Sequence, residues 1–176
     1  MKISSVLIDE KQIRTIVNRL GTEITAHYQD ITNELIVICL LKGSFIFTAD
    51  LVRKINIPTI IIDFIKASSY NGSTMSSGNV EISSDFLGCI IGKHILLIED
   101  IADTGRTLNN VIKMLSSRNP ASLKTCTLLD KPSRRKVTCD IDFTGIIIPD
   151  TFIVGYGLDF AEKYRNLPYI GVLDNI

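Results

Sequence analysis

Tryptophan is absent from this chain, histidine occurs twice and cysteine four times, and each scarcity removes a class of chemistry. The cysteines (Cys39, Cys89, Cys126 and Cys139) form no C-x-x-C pair and have no histidine pair nearby, so neither a zinc site nor a disulfide framework is expected. Cys39 and Cys126 fall within aliphatic runs, where a free thiol packs as a small hydrophobe. His27 and His94 each stand alone; the first reads as a helix-surface residue and the second as a strand entry, not as catalysts. No apolar run reaches the ~18 residues that a spanning helix needs, and the N-terminus lacks the apolar core of a secretion signal. The expectation is a cytoplasmic protein with no membrane partner. Charge of one sign is not in excess either: 19 Lys+Arg balance 19 Asp+Glu, which argues against a dedicated nucleic-acid binder. Repeats, linkers and low-complexity tracts are also missing, and 176 residues suit one well-buried domain.

What the chain does contain is an alternation of aliphatic runs and helical stripes. Asp9 with Gln12 three residues on reads as a capping box, and Ile13, Ile16, Val17, Leu20 and Ile24 predict an amphipathic helix from residue 10 to about 29. Glu34 to Leu41 is a buried-strand run; it ends in Lys42-Gly43-Ser44, and helical spacing resumes from Phe45 to Ile55. Pro58 to Lys66 reads as a strand and Val80 to Ser84 as a second, short one. Between them, residues 67–79 are serine-rich and aperiodic, as suits a functional loop or a plain exposed hairpin. Strands follow at Ser122–Leu129, Ile141–Ile148, Phe152–Tyr156 and Tyr169–Leu173, with one or two helical turns at Ala161–Leu167. Such alternation predicts an α/β fold: a mainly parallel sheet flanked by helices on both faces. The division expected is a core over about 34–150, with the N-terminal helix and the C-terminal elements (about 1–12 and 150–176) forming a small cap.

The chemistry concentrates in His94-Ile-Leu-Leu-Ile-Glu-Asp-Ile-Ala-Asp-Thr-Gly-Arg-Thr-Leu108. His94 to Ile98 has the pattern of a strand buried on both faces, and from Leu108 the apolar positions Leu108, Val111, Ile112 and Leu115 take helical spacing up to Asn119-Pro120. Between them lie two adjacent acids and a Gly/Thr-rich turn. Backbone N–H groups and hydroxyls at a helix start bind anions, and the carboxyl edge of an α/β sheet is where ligands sit. Glu99 and Asp100 would repel a bare anion but suit hydroxyls and a divalent cation. A ribose phosphate with Mg²⁺ satisfies both requirements. Taken singly, the acids could be helix caps, Asp103 a turn residue and Lys42-Gly43 a plain turn. Arg134, Arg135 and Lys136 read as a solvated basic face, whereas Lys131 stands directly at a strand's carboxyl end.

Four segments occur in one order: Leu41-Lys-Gly-Ser44, Ser68-Ser-Tyr70, Glu99 to Thr107, and Leu129-Asp-Lys131 with Pro149 to Asp159. From about Ser5 to Leu173 the chain resembles the type I phosphoribosyltransferases, and within them the hypoxanthine (hypoxanthine–guanine) enzymes. The resemblance implies transfer of the phosphoribosyl group of phosphoribosyl diphosphate to N9 of a 6-oxopurine, with release of pyrophosphate. It implies that Glu99 and Asp100 hold the ribose hydroxyls, directly and through Mg²⁺, and that Asp159 holds a second Mg²⁺. Asp103, Thr104, Gly105, Arg106 and Thr107 would cradle the 5′-phosphate, with Asp103 as general base toward N7. Lys131 would donate to O6, Phe152 stack on the base and Ile153 read its edge. Lys42, Gly43 and Arg165 would receive pyrophosphate, the peptide before Lys42 would be cis, and the Ser69-Tyr70 segment would close as a lid. The family usually forms homodimers or homotetramers. Rival readings are a xanthine- or guanine-preferring enzyme and an RNA-binding regulator that senses phosphoribosyl diphosphate.

Overall fold

The computed structural model describes residues 2–69, 80–83 and 89–174, with backbone alone for 67–69 and 80–83. Its elements in chain order are β1 (Lys2–Ile8), α1 (Glu10–Tyr28), β2 (Glu34–Leu41), α2 (Phe45–Val52), β3 (Thr59–Ser69), β4 (Val80–Ser83), β5 (His94–Ala102), α3 (Arg106–Ser116), β6 (Ser122–Asp130), β7 (Phe143–Ile147), β8 (Ile153–Val154) and β9 (Ile170–Asp174). The main sheet has six strands in the order β4-β3-β2-β5-β6-β7. All neighbours pair in parallel except β4, which runs antiparallel to β3 at one edge.

The aliphatic runs of β2 and β5 are continuous because both faces of the sheet are covered there. Leu35, Val37, Leu96 and Ile98 face one layer, packed with Ile13, Val17, Leu20 and Ile24 of α1 and Phe47 and Leu51 of α2. Ile36, Ile38, Leu40, Ile95 and Leu97 point the other way, against Leu108, Val111 and Leu115 of α3. Cys39 and Cys126 are fully buried free thiols, and His27 is exposed, all as expected.

Chain order and sheet order together create the binding crevice. After β2 the chain passes through α2 to β3 on one side; after β5 it passes through α3 to β6 on the other. The adjacent pair β2 and β5 is therefore the topological switch point, where the two following turns diverge and leave room for a ligand. Lys42-Gly43 follows β2 and the acidic Thr/Gly turn lies at the end of β5.

Several expected boundaries move. β5 runs on to Ala102 because its parallel pairing with β6 continues through Glu99↔Thr127 and Ala102↔Asp130. The acids thus belong to the strand itself. β3 extends to Ser69, since Ala67, Ser68 and Ser69 pair with Ile82, Glu81 and Val80. α2 ends at Val52 and α3 at Ser116, with the chain leaving α3 by turns that put Asn119 at φ 53°. The helical turns expected at Ala161–Leu167 do not form. Ala161, Glu162 and Tyr164 have positive φ, and Gly157 and Tyr156 donate their N–H groups to the Arg165 and Leu167 carbonyls, so a double-backed turn replaces the helix. β1 was not anticipated; it pairs with β9, which pairs with β8, in a separate three-stranded antiparallel sheet. That sheet joins N- and C-terminal elements, and α1 packs in one core with the main sheet and with Ile8, Ile153 and Ile170 of the small one.

The capping box at the start of α1 is complete: the Gln12 N–H donates to Asp9 Oδ1 at 2.7 Å, and the Asp9 N–H donates to Gln12 Oε1 at 2.8 Å. Asp9→Ala removes one of these bonds and leaves orphaned helix N–H groups. A loss of ~0.5–2 kcal/mol is expected. Urea unfolding checks it; an unchanged midpoint would show that the cap is redundant with the packing of α1.

Candidate active site

At the switch point the backbone of the β2 turn presses against the acids of β5. A Cβ built on Gly43 would lie 1.6 Å from Asp100 Oδ2, so only glycine admits the carboxylate there. The Leu41–Lys42 peptide is cis. Gly157, at φ 102°, closes on the same turn from the C-terminal side; a Cβ on it would lie 2.0 Å from the Gly43 carbonyl oxygen. Asp100 is buried and accepts from the Ile101 N–H at 2.8 Å, while Glu99 is half-buried beside it.

Beyond Ala102 a small cleft of about 150 Å³ is lined by Glu99, Asp100, Asp103, Thr104, Gly105 and Thr107. Gly105 caps α3 at φ 80°, a left-handed conformation natural to glycine, and starts the helix directly at the cleft. The Arg106 N–H makes only a long bond, 3.5 Å, to the Thr104 hydroxyl; N–H groups of a first helical turn together with threonine hydroxyls are a donor set suited to an anion. The Arg106 side chain is exposed and does not line the cleft; only its place as the first helical residue serves the cradle.

A second, larger cleft of about 440 Å³ opens on the other side of Asp103. Ile101, Asp103, Lys131, Arg134, Phe152 and Ile153 line it, together with Leu158 and Asp159. Lys131 is buried and its Nζ donates to the Thr151 carbonyl at 2.6 Å. Burial pushes its ammonium below the usual value, opposed by the Asp103 and Asp150 carboxylates. Phe152 is 43% exposed, an open aromatic face set edge-on to Phe160.

Arg134 and Lys136 are exposed, as a solvated basic face requires, but Arg134 and the half-buried Arg135 also hold the acidic turn, which was not expected. Arg134 Nε lies 3.2 Å from Asp103 Oδ1, and its Nη1 lies 3.7 Å from Asp150. Arg135 binds Asp130 and donates to the Asp103 carbonyl at 3.1 Å. The loop after β6 therefore buttresses the acidic turn, and only the residue run itself, basic and next to Lys131, hinted at it.

Arg165 donates to the Gly157 carbonyl at 2.8 Å and lies 2.9 Å from Asp159 Oδ1. Lys42 reaches it indirectly through Glu162. Lys42, and next Arg165, hold the Glu162 carboxyl below the ordinary carboxylate range. Glu162 went unnoticed in the sequence because its position follows from the turn, not from a motif. Ser69 ends β3, with its side chain undescribed, and Tyr70 lies outside the described residues.

All the candidate metal ligands are carboxylates, a donor set suited to a hard cation such as Mg²⁺. Among the described residues no group of three or more His, Cys, Asp or Glu converges on one point. Glu99 and Asp100 lie at one cleft and Asp159 at the other, so neither set forms an all-protein cage. That fits an ion bound by one or two carboxylates and completed by substrate oxygens and water.

Burial raises both strand acids, and Glu99 is pushed well above the ordinary carboxylate range because the Asp100 charge adds to its desolvation. A carboxyl whose folded pKa is raised costs stability as pH climbs from the ordinary range, about 4, through the raised value. Glu99→Gln removes that cost. Without divalent cations the variant should melt above the parent at pH 8, with the gain fading toward pH 4. A parent that melts higher at pH 8 under the same conditions would contradict this account.

A model of the phosphoribosyl transferase domain matches residues 7–161. The hypoxanthine phosphoribosyltransferase of Buchnera aphidicola subsp. Schizaphis graminum is 51% identical over 166 residues, covering 94% of this chain and 93% of that protein. The hypoxanthine-guanine phosphoribosyltransferase of Bacillus subtilis is 48% identical over 171 residues, covering 97% and 93%. Among solved structures, the hypoxanthine-guanine phosphoribosyltransferase of Bacillus anthracis, crystallised with a HEPES molecule in its active site, matches with a TM-score of 0.90 at 45% identity over 98% of this chain and 99% of that one. A family model over most of the chain, and identities of 45–51% over nearly the whole length of these relatives, place the chain in the phosphoribosyltransferase family, among its hypoxanthine and hypoxanthine–guanine members.

Proposed function

We propose that the chain is a purine-salvage transferase that moves the phosphoribosyl group of phosphoribosyl diphosphate to N9 of hypoxanthine, and of guanine, giving IMP or GMP and pyrophosphate. The observation that carries this reading is Asp103 standing between an anion cradle on one side and an aromatic, lysine-bearing cleft on the other. A phosphorylated sugar and a flat base held in those two clefts would meet at the turn.

The residues divide the work as follows. Thr104, Gly105 and Thr107, with the backbone at Arg106, take the 5′-phosphate. Glu99 and Asp100 take the ribose hydroxyls. Phe152 offers its open face for stacking, and Ile153 lies along the base edge. The Lys131 ammonium can only donate, so it accepts a 6-oxo purine and leaves a 6-amino purine with donor facing donor. Asp103, held by Arg134, draws the proton from N7 and makes N9 the better nucleophile. As pyrophosphate leaves, C1′ gains positive character and the departing oxygens gain negative charge; Lys42, Arg165 and the Gly43 backbone receive them. Mg²⁺ held by Glu99, Asp100 and Asp159 would supply further cationic charge toward the diphosphate and orient it. The segment from Ser69 to Tyr70 would shield the sugar from water.

A cytoplasmic homodimer or homotetramer completes the reading. Ile62 and Phe64, exposed on one face of β3, support an apolar contact between copies.

Pyrophosphate release from phosphoribosyl diphosphate and Mg²⁺, with hypoxanthine, guanine, xanthine and adenine offered separately, tests the proposal. Turnover is expected with hypoxanthine and guanine and not with adenine. A preference for xanthine would shift the base assignment, and tight binding of phosphoribosyl diphosphate without turnover on any base would favour a sensing role. Asp103→Asn should lower kcat by ~10²–10⁴-fold; near-parental turnover would take the general-base role away from Asp103.

A further inference from the structure

Glu162 has no part in the chemistry above, yet its carboxylate holds the two cations that await the leaving group. One oxygen, Oε2, lies 3.1 Å from Lys42 Nζ and 3.3 Å from Arg165 Nη2. The cations come from opposite ends of the chain, Lys42 from the turn after β2 and Arg165 from the turn before β9. Glu162 is itself fixed between them. Its φ is 64°, its neighbour Ala161 has φ 51°, and its N–H donates to Asp159 Oδ2 at 2.8 Å. The side chain is 64% exposed, so nothing but these contacts confines it.

An anion that bridges Lys42 and Arg165 occupies the ground that a diphosphate bridging the same pair would need. Asp159 and Glu162 already share the two cations, Asp159 at Arg165 and Glu162 at both, so a diphosphate is a third anion: when it enters, either Glu162 withdraws or its charge repels the newcomer. We propose that Glu162 is an internal stand-in for the leaving group. It bridges Lys42 and Arg165 in the free enzyme, beside the Asp159 partner of Arg165, gives way to the diphosphate of the incoming substrate, and returns as pyrophosphate departs. This rests on the assignment of Lys42 and Arg165 as the pyrophosphate-receiving pair.

The stand-in weakens the grip on both substrate diphosphate and product pyrophosphate, and it assists release by offering the cations a replacement partner. Its carboxylate meets Lys42 and Arg165, neither of which lines the base cleft, and its one bond to that cleft, from the backbone N–H to Asp159, survives a side-chain change, so the effect of the charge falls on the diphosphate side. Both cations and the acid are at least partly open to water, which keeps the effect modest and sensitive to salt. A purely structural role predicts the opposite sign, because loss of an ion pair that positions Lys42 and Arg165 would loosen anion binding.

Calorimetric titration of pyrophosphate, with Mg²⁺, into the parent, Glu162→Gln and Glu162→Asp separates these outcomes without needing turnover. Glu162→Gln should bind pyrophosphate about two- to five-fold more tightly at low ionic strength, with the gain shrinking at high salt. Its KM for phosphoribosyl diphosphate should fall while the KM for hypoxanthine stays unchanged. Glu162→Asp, which keeps the charge, should stay nearer the parent. Equal or weaker pyrophosphate binding by Glu162→Gln would overturn the proposal, as would a matching change in both KM values. A parent that turns over no base would instead defeat the functional reading.

Discussion

The site depends on one contact between backbone and carboxylate at the centre of the sheet. β2 and β5 are neighbours, their following turns go to opposite sides, and the gap between those turns is filled by Gly43 against Asp100. No side chain fits there. The lack of one lets an acid be buried at the strand end, and the burial gives Asp100 and Glu99 their raised proton affinity. Gly157 repeats the device from the other side, its Cα set against the Gly43 carbonyl. Three remote stretches of chain thereby meet within van der Waals distance, and each brings one kind of chemistry: a lysine, an acid pair, and the turn that carries Asp159 and Arg165.

Around that contact most functional charges already have a partner within the chain. Asp103 lies against Arg134, Lys131 against the Thr151 carbonyl, and Arg165 against Asp159. A ligand entering such a site exchanges interactions instead of creating them, so the net free energy of each polar contact stays small while its directionality is kept. The strand acids are the exception. Burial outweighs the Arg165 charge and the Ile101 N–H at Asp100 and leaves the pair costly in the free chain; under the proposed function a divalent ion or ribose hydroxyls would relieve that cost.

Much of this was legible in the sequence, for definite reasons. A strand buried on both faces must be aliphatic throughout, so β2 and β5 announced themselves, and the switch from that run to the spacing of Leu108, Val111 and Leu115 marked the turn between. The acids and Gly105 could then be placed at the carboxyl edge before any coordinates. Strand ends were less visible. The aliphatic run stops at Ile98 and the acids mark its carboxyl end, yet the strand continues to Ala102 since its pairing with β6 continues. The same applies to Ala67–Ser69 beside β4.

What stayed hidden was decided by partners far away in the chain. β1 carries no strong alternation and exists because β9 pairs with it across more than 160 residues of sequence, as in the Ser4–Val172 bond with its separation of 168. Arg134 reads as solvent-facing until the acidic turn is folded beneath it. Residues 161–167 offered a helical spacing, but their carbonyls at Arg165 and Leu167 serve as acceptors for a segment further back in the chain. The N–H groups of Tyr156 and Gly157 find their acceptors at Leu167 and Arg165, and the tight turn between them tolerates positive φ at three side-chain-bearing residues. That unfavourable backbone brings Arg165 to the Gly157 carbonyl and Glu162 to Lys42. Local propensity is overruled where the chain must deliver a charge to the switch point, and a motif reading has no access to that demand.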